Sequence, residues 1–81
     1  MFAKVRPQVF LDSLRMEFTE TAAALRAVLR DEQGTVHRSI DAEVTQRTLR
    51  WSDLQDLPYG VYFLKLSDGT DEWEVRLVKR V

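Results

Sequence analysis

The amino-acid sequence predicts a small all-β domain in which two antiparallel sheets pack face to face. Three observations carry this prediction: short segments of alternating apolar and polar residues, turn signals between them, and no convincing long helix. The alternation has a period of two, because successive side chains of a strand point to opposite faces. About seven strands are expected, which corresponds to a small immunoglobulin-like sandwich.

The clearest local signal is a hairpin near the C-terminal end of the chain. Two β-prone runs, 60–67 and 70–78, flank the pair Asp68-Gly69. An Asp-Gly pair in this position is typical of a two-residue type I′ turn. That turn sets Lys65 opposite Glu72 and places apolar residues opposite apolar residues on one face. The inward-facing residues predicted for the hairpin are Tyr62, Leu64, Leu66, Trp73, Val75 and Leu77.

Three segments upstream of the hairpin are also predicted to be strands. Residues 12–19 alternate cleanly between apolar and polar side chains. Residues 35–40 alternate behind a turn at 31–34, and residues 44–51 form a further β-prone segment. The inward-facing residues of the first segment are Leu14, Met16 and Phe18.

Residues 21–30 allow two interpretations. Their alanine content, with apolar residues at helical spacing behind a threonine, favours a short helix. The turn at 31–34 and the alternating segment behind it favour the first strand of a hairpin. We expect the strand, because only the hairpin explains both sides of the turn. The inward-facing residues of that strand are Leu25, Ala27 and Leu29.

Residues 52–58 are predicted to form a capped turn, with room for a single turn of 3₁₀ helix. The turn ends at Pro58, because proline cannot continue a helix. Leu54 and Leu57 are expected to pack back against the core.

The chain has 81 residues, which is enough for one domain with a modest core. Residues 8–81 are assigned to this domain, and residues 1–7 to a linker or an expression-derived N-terminus. The first residues lack the apolar stretch of a signal peptide, so an exported natural protein would contain this chain as a fragment. No apolar run approaches the ~20 residues needed to cross a bilayer.

Charge and composition argue against several function classes. Twelve basic and 13 acidic residues give a net charge of −1 without a block of one sign, so we expect no nucleic-acid partner. The lack of cysteine excludes disulfides, thiolate metal sites and a cysteine nucleophile. His37, the only histidine, is expected to be a solvated strand residue. We therefore expect no cofactor, no metal site and no enzymatic activity.

The order of short motifs along the chain carries a resemblance to a known family. Near the C-terminal end, Leu54-x-x-Leu57-Pro58-x-Gly60-x-Tyr62 precedes the hairpin and the ending Leu77-Val78-Lys79-Arg80-Val81. Earlier, Asp12 precedes the first alternating strand, and Asp31-x-x-Gly34-x-Val36 follows the next. From Arg6 to Val81 this series resembles the C-terminal sorting domain of the type IX secretion system of the Bacteroidetes. Arg6-Pro7-Gln8-Val9 stands where the family has Tyr-Pro-Asn-Pro.

The resemblance implies a C-terminal secretion signal and cell-surface sorting domain of a larger exported cargo protein. It implies folding in the periplasm and recognition by the outer-membrane translocon, shuttle protein and sortase of the type IX system. The parent cargo domain would lie upstream. The candidate recognition residues are Gly60, Val61, Tyr62, Phe63, Val78, Lys79, Arg80 and Val81.

Some of these candidates also have a purely structural explanation. A turn that needs a positive φ explains Gly60, and core packing explains Tyr62. Charge on an edge strand that discourages aggregation explains the terminal Lys79-Arg80 pair. Three other candidates point away from the core in the predicted register and are expected to form an outer contact surface: Val61, Phe63 and Val78.

A second interpretation is an immunoglobulin-like adhesion or carbohydrate-binding module. Trp51, Tyr59 and Trp73 would be stacking candidates if two of them were exposed and coplanar. The predicted register buries Trp73, which favours the sorting domain. Exposed strand edges also allow a homodimer.

Overall fold

A computed structural model describes residues 3–80, and in this range the chain forms eight strands and no helix. No described segment is therefore a helix able to span a membrane. The all-β sandwich predicted from the sequence is confirmed, with one strand more than expected. The strands are β1 (Ala3–Arg6), β2 (Val9–Phe10), β3 (Leu14–Phe18), β4 (Ala22–Asp31), β5 (Val36–Val44), β6 (Thr48–Trp51), β7 (Gly60–Ser67) and β8 (Glu72–Lys79).

The strands form two sheets of unequal width. The small sheet has the order β1-β3-β6, and the large sheet has the order β2-β8-β7-β4-β5. All neighbours are antiparallel except β2 and β8, which run parallel. The backbone N–H groups of Val78 and Arg80 donate to the carbonyls of Gln8 (2.8 Å) and Phe10 (2.9 Å). The N-terminal segment thus crosses from the small sheet to the large one and back.

The core lies between the sheets and is formed by alternate residues of each strand. Residues 21–30, which allowed two interpretations, fall within β4 apart from Thr21, so the strand is confirmed. The hairpin context outweighs the local alanine content here. In a strand, alternate side chains point to the same face, so Leu25, Ala27 and Leu29 all face the opposite sheet. The predicted inward residues of β3, β4 and β7 are all buried: Leu14, Met16, Phe18, Leu25, Ala27, Leu29, Tyr62, Leu64 and Leu66.

The predicted two-residue turn of the last hairpin is wrong. The loop has four residues, 68–71, and Lys65 lies directly opposite Glu74 rather than Glu72. The Asp68 carboxylate explains the longer loop, because its Oδ1 accepts the backbone N–H groups of Thr70 (2.9 Å) and Asp71 (2.7 Å). The register moves by two residues, so every side chain keeps its predicted face.

Two sequence boundaries also differ from the structure. Residues 1–7 were expected to be a linker, but Ala3–Arg6 form β1, which pairs with β3. Ala3 and Val5 are buried in the core, so the domain begins before residue 8. The β-prone segment 44–51 is divided between β5 and β6 by a turn in which Arg47 has a φ of 61°.

The small sheet covers the centre of the large one and leaves both flanks partly open. Inward residues of the central strands β7 and β4, such as Leu64 and Leu29, have no exposed surface. On the flanking strand β8, Trp73 and Val75 face inward but are only half-buried. On the flanking strand β5, Ile40 is half-buried in the same way.

The register of the last hairpin can be tested with cysteine pairs, because the chain has no cysteine of its own. Lys65→Cys with Glu74→Cys joins directly opposed residues, whose Cα atoms in an antiparallel pair are about 4.5–5.5 Å apart and within disulfide range. We expect this pair to oxidise within one chain, as measured by mass spectrometry after mild oxidation.

The matched control is Lys65→Cys with Glu72→Cys, which joins a diagonal pair about 7–8 Å apart. That pair is expected to stay reduced, because this distance exceeds what a disulfide spans without backbone movement. Preferential oxidation of this second pair would contradict the four-residue loop and support the two-residue turn predicted from the sequence.

Candidate functional site

The motif that precedes β7 folds into a tight corner. Leu54 and Leu57 are buried, as the sequence predicts, and the backbone N–H of Leu57 donates to the carbonyl of Leu54 (3.2 Å). Gly60 has a φ of 135°, a conformation that side chains other than glycine rarely adopt. The Tyr62 hydroxyl donates to the carbonyl of Pro58 (2.8 Å), four residues back. This is the tyrosine corner of immunoglobulin-like sandwiches.

Beside this corner, His37 and Asp31 form a hydrogen-bonded pair. His37 Nε2 lies 2.8 Å from Asp31 Oδ2, and an ionised carboxylate only accepts, so the imidazole donates. The His37 ring packs edge-on against the ring of Tyr62, with centroids 5.3 Å apart. His37 was expected to be a solvated strand residue, but its side chain is only 21% exposed. The turn at 31–34 explains the low exposure, because it brings the His37 side chain back against Asp31, the first residue of the turn.

Two pKa values in this corner depart from their ordinary range. The hydrogen bond from His37, aided by backbone N–H donors of Thr35 and Gln33 and opposed by desolvation, lowers the pKa of Asp31. Burial, together with the negative charge of Asp31, raises the pKa of Tyr62. The Tyr62 hydroxyl is therefore held as a neutral donor to Pro58.

The corner is a hydrogen-bonded network that ties loops to strands. Arg38 donates to the carbonyl of His37 (2.8 Å) and to Asp56 (2.6 Å), so it ties β5 to the loop before β7. The Tyr62 hydroxyl already donates to a carbonyl, and the His37 imidazole already donates to Asp31. Among residues 3–80, no three metal-binding side chains gather into one group.

A different feature lies on the outer face of the large sheet. Val78 on β8 is directly opposite Val61 on β7 and opposite Val9 on β2. Phe63 lies on the same face of β7, two residues after Val61. We name these four residues, Val9, Val61, Phe63 and Val78, the terminal patch. It is a continuous apolar strip over three neighbouring strands, at positions where alternation normally places polar side chains.

Basic side chains border the terminal patch. Phe63 lies directly between Arg76 on β8 and Arg30 on β4. Tyr59, 71% exposed, lines an open cleft together with Val78 and the terminal Lys79-Arg80 pair. An apolar centre with a polar, charged rim is the composition of many protein-binding surfaces.

The structure divides the sequence-predicted recognition residues into two groups. Val61, Phe63 and Val78 lie together on the outer face, and Arg80 is exposed beside them. Lys79 points inward, is 3% exposed, and donates through Nζ to the carbonyl of Arg80 (2.6 Å). Gly60 and Tyr62 belong to the corner. Val81 lies outside the described residues.

Two residues of this surface were missed by the sequence analysis. Val9 joins the terminal patch through the parallel pairing of β2 with β8, which no local pattern predicts. Tyr59 was considered only as a stacking residue of a carbohydrate site. The spacing Tyr59-x-Val61-x-Phe63 was a usable signal, because alternate residues of an extended segment share a face.

The aromatic residues proposed for carbohydrate stacking do not meet their condition. Trp51 is buried in the core, and Trp73 is half-buried. The indole Nε1 of Trp73 is covered by protein atoms and has no hydrogen-bond partner among the described residues. Of the three candidates, Tyr59 alone is exposed, so the described residues offer no pair of exposed, coplanar rings.

Comparison with known proteins adds no further assignment. No model of a known protein family matches the chain, and no curated protein is similar to it in sequence. The resemblance to the sorting domains therefore stays a prediction that depends on the motifs themselves.

The Asp31–His37 pair should make stability depend on pH in the acid range. The folded pKa of Asp31 lies below its ordinary value of 3.8, so the unfolded chain binds the proton at higher pH than the folded protein does. The stabilisation is complete above about pH 5 and is lost as the pH falls through the lowered folded pKa. Asp31→Asn should lower the thermal midpoint at neutral pH and flatten its decline between pH 5 and pH 2.

Glu32→Gln is the matched control, because it removes one negative charge from the neighbouring, exposed position. Thermal unfolding followed by circular dichroism should give this control the acid dependence of the unaltered chain. Equal flattening in both variants would assign the effect to net charge instead of the pair.

The tyrosine corner predicts a measurable cost for removing one hydroxyl. Tyr62→Phe leaves the Pro58 carbonyl without its donor and should lower the free energy of unfolding by about 1 kcal/mol. Tyr59→Phe removes a hydroxyl that is exposed and should change it by only a few tenths. Urea denaturation measures the free energy of unfolding of both variants. Equal losses would contradict a stabilising contribution from the Tyr62–Pro58 hydrogen bond.

Proposed function

We propose that this chain is the C-terminal secretion signal and cell-surface sorting domain of a larger exported cargo protein. The partners are the outer-membrane translocon, the shuttle protein and the sortase of the type IX system. The observation that carries the proposal is the terminal patch, an apolar surface with a basic border on β8 and its two neighbours. It lies on the strands that contain the C-terminal part of the resemblance.

The motif residues support this proposal through the way they present β7. Leu54 and Leu57 bury the loop, Gly60 turns the backbone, and the Tyr62 hydroxyl closes the corner on Pro58. These contacts fix the face on which β7 starts. The alternate residues Val61 and Phe63 then point outward beside Val78. The motif is thus the internal support of the surface that a partner contacts.

The chemistry of the patch suits recognition without catalysis. A partner would pack apolar side chains over Val61, Phe63 and Val78 and place carboxylates beside Arg76 and Arg30. Isolated exposed apolar residues are ordinary, but a continuous strip over three strands is the kind of surface that marks an interaction site. The module would therefore act by being bound, with no cofactor and no reaction of its own.

The sorting role also accounts for the separation of the two surfaces of the domain. The core and the corner hold the two sheets together, whereas the side chains of the terminal patch point away from the other sheet. Folding in the periplasm would display the patch before passage through the outer membrane.

Charge substitution in the terminal patch should block surface delivery while leaving the fold intact. Phe63→Glu and Val78→Glu, each in this chain fused behind a reporter cargo, are expressed in a bacterium with a type IX system. The reporter fused to the unaltered chain should reach the cell surface. Each variant should leave at least tenfold less reporter there, measured by antibody labelling of intact cells.

Thr48→Glu is the matched control, because Thr48 is exposed on β6 of the small sheet, on the opposite outer face of the sandwich. It should be delivered normally. Circular dichroism of each purified variant confirms folding. Normal delivery of the folded Phe63 and Val78 variants would contradict the role of the patch, and retention of the unaltered fusion inside the cell would contradict the sorting function itself.

A further inference from the structure

Among residues 3–80, each sheet ends in two edge strands, and two of these four edges, β1 of the small sheet and β5 of the large sheet, differ in character. In the small sheet, β1 pairs with β3 on one side, and no described strand pairs with its other side. In the large sheet, β5 has the same position, with β4 as its single described neighbour. A free edge exposes backbone N–H and C=O groups that can pair with another strand.

The free edge of β1 lies beside half-buried apolar side chains. An open cleft runs along β1 and is closed on its far side by Gln8 and Val75. Val75 and Trp73 face inward on β8 but lie beyond the cover of the small sheet. A strand added to β1 would extend the small sheet over them.

The outer face of β1 is basic: Lys4 lies directly opposite Glu17 on β3, but Arg6 faces no opposite charge across the ladder. Lys4 and Arg6 are exposed, and no ion pair joins either of them to a described residue. Arg6 lies directly opposite Arg15 on β3, which lies directly opposite Arg50 on β6. Like charges directly opposite each other destabilise a sheet. The row therefore favours a neighbour that brings carboxylates to the free side of β1.

The free edge of β5 has the complementary character. Asp41 and Glu43 point outward and are exposed, whereas Ile40 and Ala42 point inward and are half-buried. Asp41 already accepts hydrogen bonds from Arg26 (2.9 and 3.3 Å), but a carboxylate has sites for further donors. β5 thus alternates acidic and apolar residues along an unpaired edge.

We propose that β1 of one copy of this chain pairs with β5 of a second copy. In an antiparallel register, Lys4 lies opposite Glu43 of the second copy and Arg6 lies opposite Asp41 of the second copy. The small sheet of one copy and the large sheet of the next then form one continuous sheet. Outer charges meet opposite charges, and inner apolar residues stay on the inner face.

The same register covers the apolar flanks. Ile40 and Ala42 of the second copy extend past the small sheet of their own copy and reach over Val75 and Trp73 of the first. In each copy the five-stranded sheet extends beyond the three-stranded sheet at β8 on one flank and at β5 on the other. The β5 flank of one copy can therefore cover the β8 flank of the next. Burial of these flanks adds a hydrophobic contribution to the backbone pairing.

The association is head-to-tail, because the two edges differ. Pairing β1 with β1 across a two-fold axis would place Lys4 and Arg6 against the same basic residues. Pairing β5 with β5 would leave the basic row of β1 unmatched. A head-to-tail interface is heterologous and leaves a free edge at each end, so assemblies grow with concentration.

Sedimentation velocity of the 81-residue chain over a concentration series tests the proposal. The unaltered chain should form species that lengthen with concentration. Lys4→Glu with Arg6→Glu, and separately Asp41→Lys with Glu43→Lys, should each weaken association by more than about tenfold, because like charges then face each other. An equimolar mixture of the two variants should associate again, since each supplies the edge that the other lacks.

The control is Lys65→Glu with Arg76→Glu, which changes the net charge equally on the outward face of the internal strands β7 and β8, away from the edges of β1 and β5. It should associate like the unaltered chain, and circular dichroism confirms that all variants fold. A monomeric unaltered chain at every concentration, no recovery on mixing, or equal loss in the control would overturn the proposal. If one variant pair fails to fold, the other decides, because it alters the opposite edge. No secretion is involved, so the outcome is independent of the sorting function.

Discussion

Burial of one face of β7 is the interaction on which the rest of the structure depends. β7 lies at the centre of the large sheet, between β8 and β4, and its inward side chains are almost completely buried. Because side chains of a strand alternate, this burial also decides what points outward. The core residues Tyr62 and Leu64 thereby fix the outward position of Val61 and Phe63. Stability and surface presentation are two results of the same packing.

The sequence predicts the faces of the strands better than their partners. Alternation is local, so it assigned the inward residues of β3, β4 and β7 correctly. Pairing depends on distant segments and on turn chemistry. Asp68 accepts two backbone N–H groups of its own loop, and this shifts the hairpin by two residues without changing a face. The parallel contact of β2 with β8 joins segments about 70 residues apart, and no local signal encodes it.

The candidate site follows the same division. The outward positions of Val61, Phe63 and Val78 were predictable because they depend only on alternation, and the same alternation should have placed Lys79 inward with Leu77. The place of Val9 was not predictable, because it depends on β2. The Asp31–His37 pair required the three-dimensional path of the turn between them. Sequence patterns thus identify surfaces within one strand and miss those assembled from several.

The position of β8 determines when the large sheet can be completed as the chain is synthesised. β8 is an internal strand, held by β7 on one side and by β2 on the other. The large sheet is therefore complete only after residues as far as Lys79 have been synthesised, whereas the corner before β7 is synthesised earlier. A chain that stops short lacks a middle strand, not merely a tail. Any partner that binds the outer face of β8 thus distinguishes chains that contain β8 from chains that lack it.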